Sequence, residues 1–97
     1  MQQHPFNISL KIKTKLKQKH NVSLEEVTEC FYNRSHGTLI DNRESHKTQP
    51  PTQWFIAKSD KGRILKVIFV LENGKVFIKS CFDADKASQR IYKRVAK

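Results

Sequence analysis

The first part of the chain has a hydrophobic pattern that fits two kinds of structure. From residue 10 to residue 19, lysine occupies every odd position in LKIKTKLKQK. With a period of two residues this is a strand with one cationic face. With a period of 3.6, Ile8, Ile12 and Leu16 form a narrow apolar stripe on a helix. We favour the helix, because lysine is depleted in strands and a row of like charges on one strand face is unfavourable.

The next segment carries a helix start signal. Ser23 stands three residues before Glu26, which is the spacing of a capping box. This predicts a helix that runs to about Asn33 and forms a hairpin with the first helix. The apolar face of the second helix is predicted to consist of Leu24, Val27 and Phe31.

The middle of the chain has the pattern of strands separated by turns. Asn73-Gly74 is a strong signal for a two-residue hairpin turn, and residues 59–62 predict a second turn. A polar loop of eleven residues, 41–51, is long for so small a domain, and long ordered loops are often functional. The predicted strands, of which the first is short, are 38–40, 53–58, 63–72 and 75–82.

A last helix is predicted over residues 84–95, capped by Asp83 and with Ala87, Ile91 and Val95 facing inward. The chain is too short for a second hydrophobic core, so residues 1–97 are predicted to be one domain. The order of elements predicts an α+β fold: an N-terminal helical hairpin, a three- or four-stranded antiparallel sheet and a C-terminal helix.

The turns also predict which side chains share a face of the sheet. A four-residue turn at 59–62 places Lys58 opposite Arg63 and Phe55 opposite Lys66. One face is then almost uniformly apolar, and we expect the helices to cover it. That face comprises Trp54, Ile56, Leu65, Val67, Phe69, Leu71, Val76, Ile78 and Phe82.

The other face is predicted to place cations among aromatic rings. Phe55 and Phe77 would lie there with Lys66 and Lys79. Such a surface suits unpaired nucleotides, which offer a phosphate to the cation and a base to the ring. The alternative is a second, partly covered core from which the two lysines extend to the solvent.

The charge of the chain indicates a polyanionic partner. Nineteen Lys and Arg stand against nine Asp and Glu, and residues 1–22 contain five Lys and no acid. We expect Lys13 and Lys17 to contact RNA or another polyanion. No stretch approaches the ~18 apolar residues of a membrane span, and the stripe of the first helix is too thin for strong insertion.

The two cysteines are too few for a disulfide framework. Cys30 and Cys81 both fall in predicted regular elements, so we expect buried or half-buried free thiols. A cytoplasmic protein with no membrane association fits these observations. The four histidines lack metal-ligand spacing and no glycine-rich phosphate loop occurs, so neither a metal nor a cofactor is expected.

Two stretches of the chain resemble BrnT-type toxins. Residues 19–27, KHNVSLEEV, and 54–67, WFIAKSDKGRILKV, are similar to segments of these proteins, which belong to the RelE-like superfamily of toxin–antitoxin systems. The resemblance spans roughly residues 10–95. It implies a small helix-plus-sheet fold, ribonuclease activity that is often directed at translating ribosomes, and an antitoxin as partner. Phe82 stands where the toxin pattern ends its last strand with an arginine near the cleft.

A second resemblance covers residues 41–57. This run is similar to a group of small bacterial proteins that often carry the label ADP-ribosyl-(dinitrogen reductase) hydrolase. True ADP-ribosylhydrolases are larger helical enzymes with paired metal-binding acids. The present chain has neither that length nor paired aspartates, so we do not adopt that activity.

Cleavage of RNA requires a base, an acid and cations that stabilise the transition state. Candidates for the catalytic step are His46 and Glu44 in the long loop, together with Arg63. The imidazole of a histidine exchanges protons near neutral pH, and a neighbouring carboxylate can orient it. The candidates for RNA binding are Arg43, Lys66, Lys79, Phe55, Phe77, Tyr92, Lys13 and Lys17.

Three functions follow as hypotheses. The first is a toxin-like ribonuclease that cleaves RNA, alone or on the ribosome. The second is a non-catalytic module that binds RNA or the ribosome, which the phenylalanine at position 82 favours. The third is a protein-interaction module whose basic surface binds an acidic partner, such as an antitoxin-like segment.

Overall fold

Three helices and four strands make up the computed structural model, which describes residues 6–41 and 50–96. The strands form one antiparallel sheet in the order β1-β2-β3-β4. The predicted α+β layout, with two N-terminal helices, the sheet and a C-terminal helix, is confirmed. The elements are α1 (Leu10–His20), α2 (Leu24–Asn33), β1 (Leu39–Ile40), β2 (Thr52–Lys58), β3 (Ile64–Glu72), β4 (Lys75–Asp83) and α3 (Lys86–Val95).

The lysine-rich segment is the helix α1, as predicted. The Ser9 side chain accepts a hydrogen bond from the Ile12 amide at 3.2 Å and caps the helix. Asn21 ends the helix in the left-handed conformation, with φ of 51°. Leu16 is buried and Ile12 packs against the core, so one narrow stripe holds this polar helix in place.

The predicted capping box of α2 is present. The Glu26 amide donates to the Ser23 hydroxyl at 3.1 Å, and the Ser23 amide donates to the Glu26 carboxylate at 3.3 Å. The helix ends at Asn33, as predicted. Its buried residues are Val27 and Cys30, which face the sheet.

The turn between β2 and β3 is shorter than predicted, and this changes the register. The Ser59 amide donates to the Arg63 carbonyl, which leaves only residues 60–62 in the loop. Gly62, with φ of 87°, adopts the left-handed conformation that such three-residue loops require. Lys58 therefore pairs with Ile64, and Phe55 with Val67. The predicted pairing of Phe55 with Lys66 is wrong by one residue.

The β3–β4 hairpin has the predicted two-residue turn and one irregularity. Asn73 and Gly74 both have positive φ, at 53° and 76°. Further along, a bulge between the Ile68–Ser80 and Phe69–Ile78 pairs leaves Lys79 without a partner in the register. The extra residue lets Ile78 and Cys81 both enter the core, although three residues apart they would otherwise lie on opposite faces.

The core lies between the sheet and the helices α1 and α2. The one-residue shift places Phe55 on this covered face, while Trp54, Ile56 and Phe82 belong to the opposite face. The predicted division of the strand residues is therefore wrong at these four positions and also at Ala57 and Cys81, which lie on the covered face instead of the other one. The buried strand residues are Phe55, Ala57, Leu65, Val67, Phe69, Ile78 and Cys81.

Both cysteines are buried free thiols, as predicted. Burial, reinforced by nearby carboxylates such as Glu26, raises the pKa of Cys30 to about 12. Burial likewise raises the pKa of Cys81. Neither thiol is present as the reactive thiolate at neutral pH.

The helix α3 begins two residues later than predicted and turns a different side toward the sheet. Its N-cap is Asp85, whose carboxylate accepts from the Ser88 amide at 2.7 Å, because Asp83 belongs to β4. Ser88 and Tyr92 are buried. The expectation that Ala87, Ile91 and Val95 face inward is wrong, since all three are exposed.

Candidate nucleic-acid interface

The helix α1 presents its lysines in two rows. At about 100° per residue, Lys13 and Lys17 fall on one side of the buried Leu16, while the other three lysines fall on the opposite side. All five lysines of α1 are exposed. Within residues 6–41 and 50–96, none of them forms an ion pair. The second row comprises Lys11, Lys15 and Lys19.

The row of Lys13 and Lys17 borders an open cleft of about 650 Å³ at the start of α2. Val22 and Leu24 contribute apolar surface to the cleft. Lys61, in the turn between β2 and β3, lies across from α1 as a third cation. The cleft therefore gathers cations from two distant parts of the chain.

Arg63 lies at the wall of this cleft and is fixed by protein acceptors. Its Nε and Nη2 donate to the two oxygens of Asp83 at 2.8 Å and 3.1 Å. Nη2 also donates to the His20 carbonyl at 2.8 Å. Nη1 donates to the Asn21 carbonyl at 2.7 Å and to Glu26 at 3.4 Å.

These five bonds use all five N–H donors of the guanidinium group. They connect the end of α1 and the start of α2 with strands β3 and β4. The hydrogen bond to Asp83 raises the pKa of Arg63, and the same bond lowers the pKa of Asp83. Arg63 thus supports the shape of the cleft, and an incoming phosphate would have to displace one of its present partners.

Lys66 on β3 and Tyr92 on α3 lie between α3 and the second face of the sheet, which is the face opposite the helices α1 and α2. The Lys66 ammonium is 4.4 Å from the centroid of the Trp54 ring and donates to the Ser88 hydroxyl at 3.1 Å. The Tyr92 hydroxyl donates to the Gly37 carbonyl at 2.6 Å. Burial raises the pKa of Tyr92. Both side chains join α3 to the sheet.

The predicted aromatic partners of RNA separate in the structure. Phe55 is completely buried and makes edge contacts with Phe31 and Phe69, so the prediction that its ring is open to bases is wrong. Phe77 is half-buried on β4 and Lys79 is exposed at the bulge. These two residues therefore remain accessible.

The candidates in the predicted loop 41–51 cannot be compared with the structure. Arg43, Glu44 and His46 lie outside the described residues. Of the three candidates for catalysis, only Arg63 is described.

Sequence reasoning missed Lys61 as a member of the cationic cleft. Its only signal was its position in a hairpin turn, and its proximity to α1 depends on how the helices pack on the sheet. It also missed that Trp54, rather than Phe55, is the aromatic ring beside Lys66, because that depends on the length of the β2–β3 turn.

Two features are absent from the described residues. No helix among them is long and apolar enough to cross a membrane. In residues 6–41 and 50–96, no group of three or more His, Cys, Asp or Glu side chains could hold a metal ion.

No protein-family model matches this chain, and a search of curated proteins returns no significant match.

Proposed function

We propose that the chain binds RNA through the lysine face of α1 and the cleft beside it. The observation that carries the proposal is the set of five exposed lysines on α1, which make no ion pair within the described residues. Uncompensated cations on a fixed helix attract a polyanion and release its counterions on binding. Binding of this kind acts in the cytoplasm, where RNA is abundant.

The form of the face supports contact with the phosphate backbone rather than with bases. Lysine is a compact point charge on a flexible stem, so it contacts phosphates without reading a sequence. Leu10 is the one large apolar side chain of α1 that is strongly exposed. Such a face fits a hydrated polyanion better than a membrane, which would require a broad apolar stripe.

Ribonuclease activity remains a prediction that comes from the resemblance to BrnT-type toxins. It depends on His46 and Glu44, and the guanidinium group of Arg63 is already used by protein acceptors. The described part of the chain therefore supports binding more directly than cleavage. An antitoxin as partner is likewise a prediction from the resemblance.

The test is a salt titration of binding to a fluorescent single-stranded RNA, followed by anisotropy. For single strands, each lost phosphate contact reduces the slope of log affinity against log salt by about 0.7. The Lys13→Gln, Lys17→Gln double variant should therefore reduce the slope by about 1.4. The matched control is Lys86→Gln, Lys93→Gln, which removes the same charge from α3 and should leave the slope unchanged.

Two results would contradict the proposal. Equal losses from both double variants would mean that only net charge matters, and an absence of salt-sensitive binding would exclude the interface. The RNA is also examined for cleavage, alone and on translating ribosomes. Cleavage that is lost in a His46→Ala, Glu44→Ala variant would instead establish the ribonuclease.

A further inference from the structure

The second face of the sheet contains a groove that α3 does not fill. The groove has a volume of about 490 Å³ and lies between β1, the middle of the sheet and α3. Its lining combines the apolar residues Ile40, Trp54, Ile68 and Ile91 with the acid Asp41 and the cation Lys66. Ile40 is 54% exposed and Ile91 is 45% exposed, so this apolar surface is open to the solvent.

The orientation of α3 extends this apolar surface. Tyr92 anchors the helix by its ring contact with Trp54 and its bond to Gly37. At about 100° per residue, that anchoring turns Ala87, Ile91 and Val95 away from the core. Val95 is 51% exposed. An amphipathic helix ordinarily buries its apolar stripe, so a stripe left outside marks an interaction surface.

Cations border the stripe on its outer side. Arg90 and Arg94 lie one helical turn apart on the same side of Ile91, and both are exposed. The whole of α3 carries four basic residues and no acid. Among the described residues none of these four forms an ion pair.

We propose that this groove binds an amphipathic acidic helix of a partner protein. Apolar side chains on one face of that helix would contact Ile40, Ile68 and Ile91, while its carboxylates would pair with Arg90 and Arg94. Helix-in-groove binding fits the site, because β1 has only two residues and offers too short an edge for an added strand.

Charge argues against a second copy of this chain as the occupant. A symmetric dimer through this face would bring Arg90 and Arg94 of both copies together, in a chain with a formal net charge of +10. An acidic segment removes that repulsion. The groove and the lysine face of α1 lie on opposite sides of the sheet, so this proposal does not depend on RNA binding.

The test uses protein with ¹³C-labelled isoleucine methyl groups and a designed peptide of about 20 residues. The peptide carries leucine at helical spacing on one face and glutamate on the other. Its matched controls are the same peptide with lysine for glutamate, and a scrambled peptide of identical composition. We expect saturable shifts of the Ile40, Ile68 and Ile91 methyl signals with the acidic amphipathic peptide, and unmoved signals from Ile8 and Ile12 near α1.

A pair of variants adds the energetic test. Ile91→Asp should weaken peptide binding about tenfold or more, since it removes an apolar contact that the bound peptide would bury and places a negative charge beside the peptide's glutamates. Leu10→Asp is the matched control, because Leu10 is 78% exposed on α1, and it should leave peptide binding unchanged. Neither variant changes a buried residue. Preserved spectral dispersion confirms that each variant folds. Val95→Asp, on the same stripe of α3, is a second variant that should also weaken peptide binding.

The following outcomes would overturn the proposal. They are an absence of peptide binding, equal binding of the scrambled peptide, equal shifts at Ile8 and Ile12, and a concentration-dependent dimer that Ile91→Asp abolishes. The last would identify a second copy as the occupant. Displacement of the peptide by RNA, with shifts of the same three groove methyl groups, would also contradict it.

Discussion

The two faces of the sheet are covered to different extents. The helices α1 and α2 close one face over a continuous core, so the solvent side of α1 is almost entirely lysine and polar residues. On the other face, α3 is held at Tyr92 and leaves apolar residues of β1, β3 and its own stripe open. Both α1 and α3 carry cations that form no ion pair with any residue in 6–41 or 50–96. Only the α3 side adds apolar surface, which can select an amphipathic ligand where charge alone selects any polyanion.

The largest expected effect concerns the closed face. Phe55→Ala should lower the free energy of unfolding by about 3–5 kcal/mol, because the ring is completely buried between the sheet and α2. Phe77→Ala is the matched control on β4 and should cost about 1 kcal/mol, since its ring is only half-buried. Urea unfolding measures both. Phe77 lies on the face opposite Phe55. Equal costs would mean that the face of Phe55 is no more closed than the face of Phe77.

The next effect concerns the connection between the helices and the sheet at the cleft. Arg63→Ala should lower the free energy of unfolding by about 2–3 kcal/mol, because it removes the donor to two backbone carbonyls and the ion pairs with Glu26 and Asp83. Arg63→Lys should recover only part of this, since an ammonium cannot reproduce the planar fork. Lys61→Ala, in the adjacent turn, should change stability by less than about 0.5 kcal/mol. An Arg63 variant as stable as the parent would contradict the role of Arg63 in connecting the helices with the sheet.

A smaller effect tests how α3 is held on the open face. Tyr92→Phe should cost about 1 kcal/mol, because the Gly37 carbonyl loses its hydroxyl donor. The exposed Tyr32 offers a matched control, and Tyr32→Phe should be neutral. Unfolding in urea again provides the measurement. If the two substitutions cost the same, the hydroxyl of Tyr92 does not anchor α3.

The smallest effect is the pH dependence at the edge of the closed face. Arg63 lowers the pKa of Asp83 in the folded protein, so the ionised carboxylate favours folding above its unfolded pKa of about 3.9. This contribution is lost as the pH falls through the lower folded pKa. It should be under about 1 kcal/mol because the Asp83 side chain is largely exposed. The stability difference between the parent and Asp83→Asn should therefore shrink below about pH 4; a constant difference would contradict the assignment.

Local signals predicted much of the fold. The Ser23–Glu26 capping box and the Asn73-Gly74 turn are short-range features, and each of them specified an element without knowledge of the rest. The turn before Arg63 was harder to predict, because three- and four-residue loops both fit the sequence. One residue of difference moved Phe55 into the core and Trp54 to the opposite face.

The side of α3 that faces the sheet depends on tertiary contacts, which the local sequence does not specify. The apolar pattern of this helix favoured Ile91 as the buried position, but Tyr92 finds an aromatic contact on the sheet, Trp54, and a backbone acceptor just before β1, the Gly37 carbonyl. The lysine face of α1 followed from the spacing of its apolar residues and from the depletion of lysine in strands. The contribution of Lys61 to the cleft required the packing of the turn against α1.

The most direct test of the central proposal is an NMR titration of ¹⁵N-labelled protein with a short single-stranded RNA at low salt. Shifts confined to α1, the start of α2 and the turn around Lys61 are the predicted result, with α3 and the groove residue Ile68 unchanged. Shifts centred on α3 or on the groove, or no shifts at any RNA concentration, would contradict the assignment of RNA binding to the α1 face.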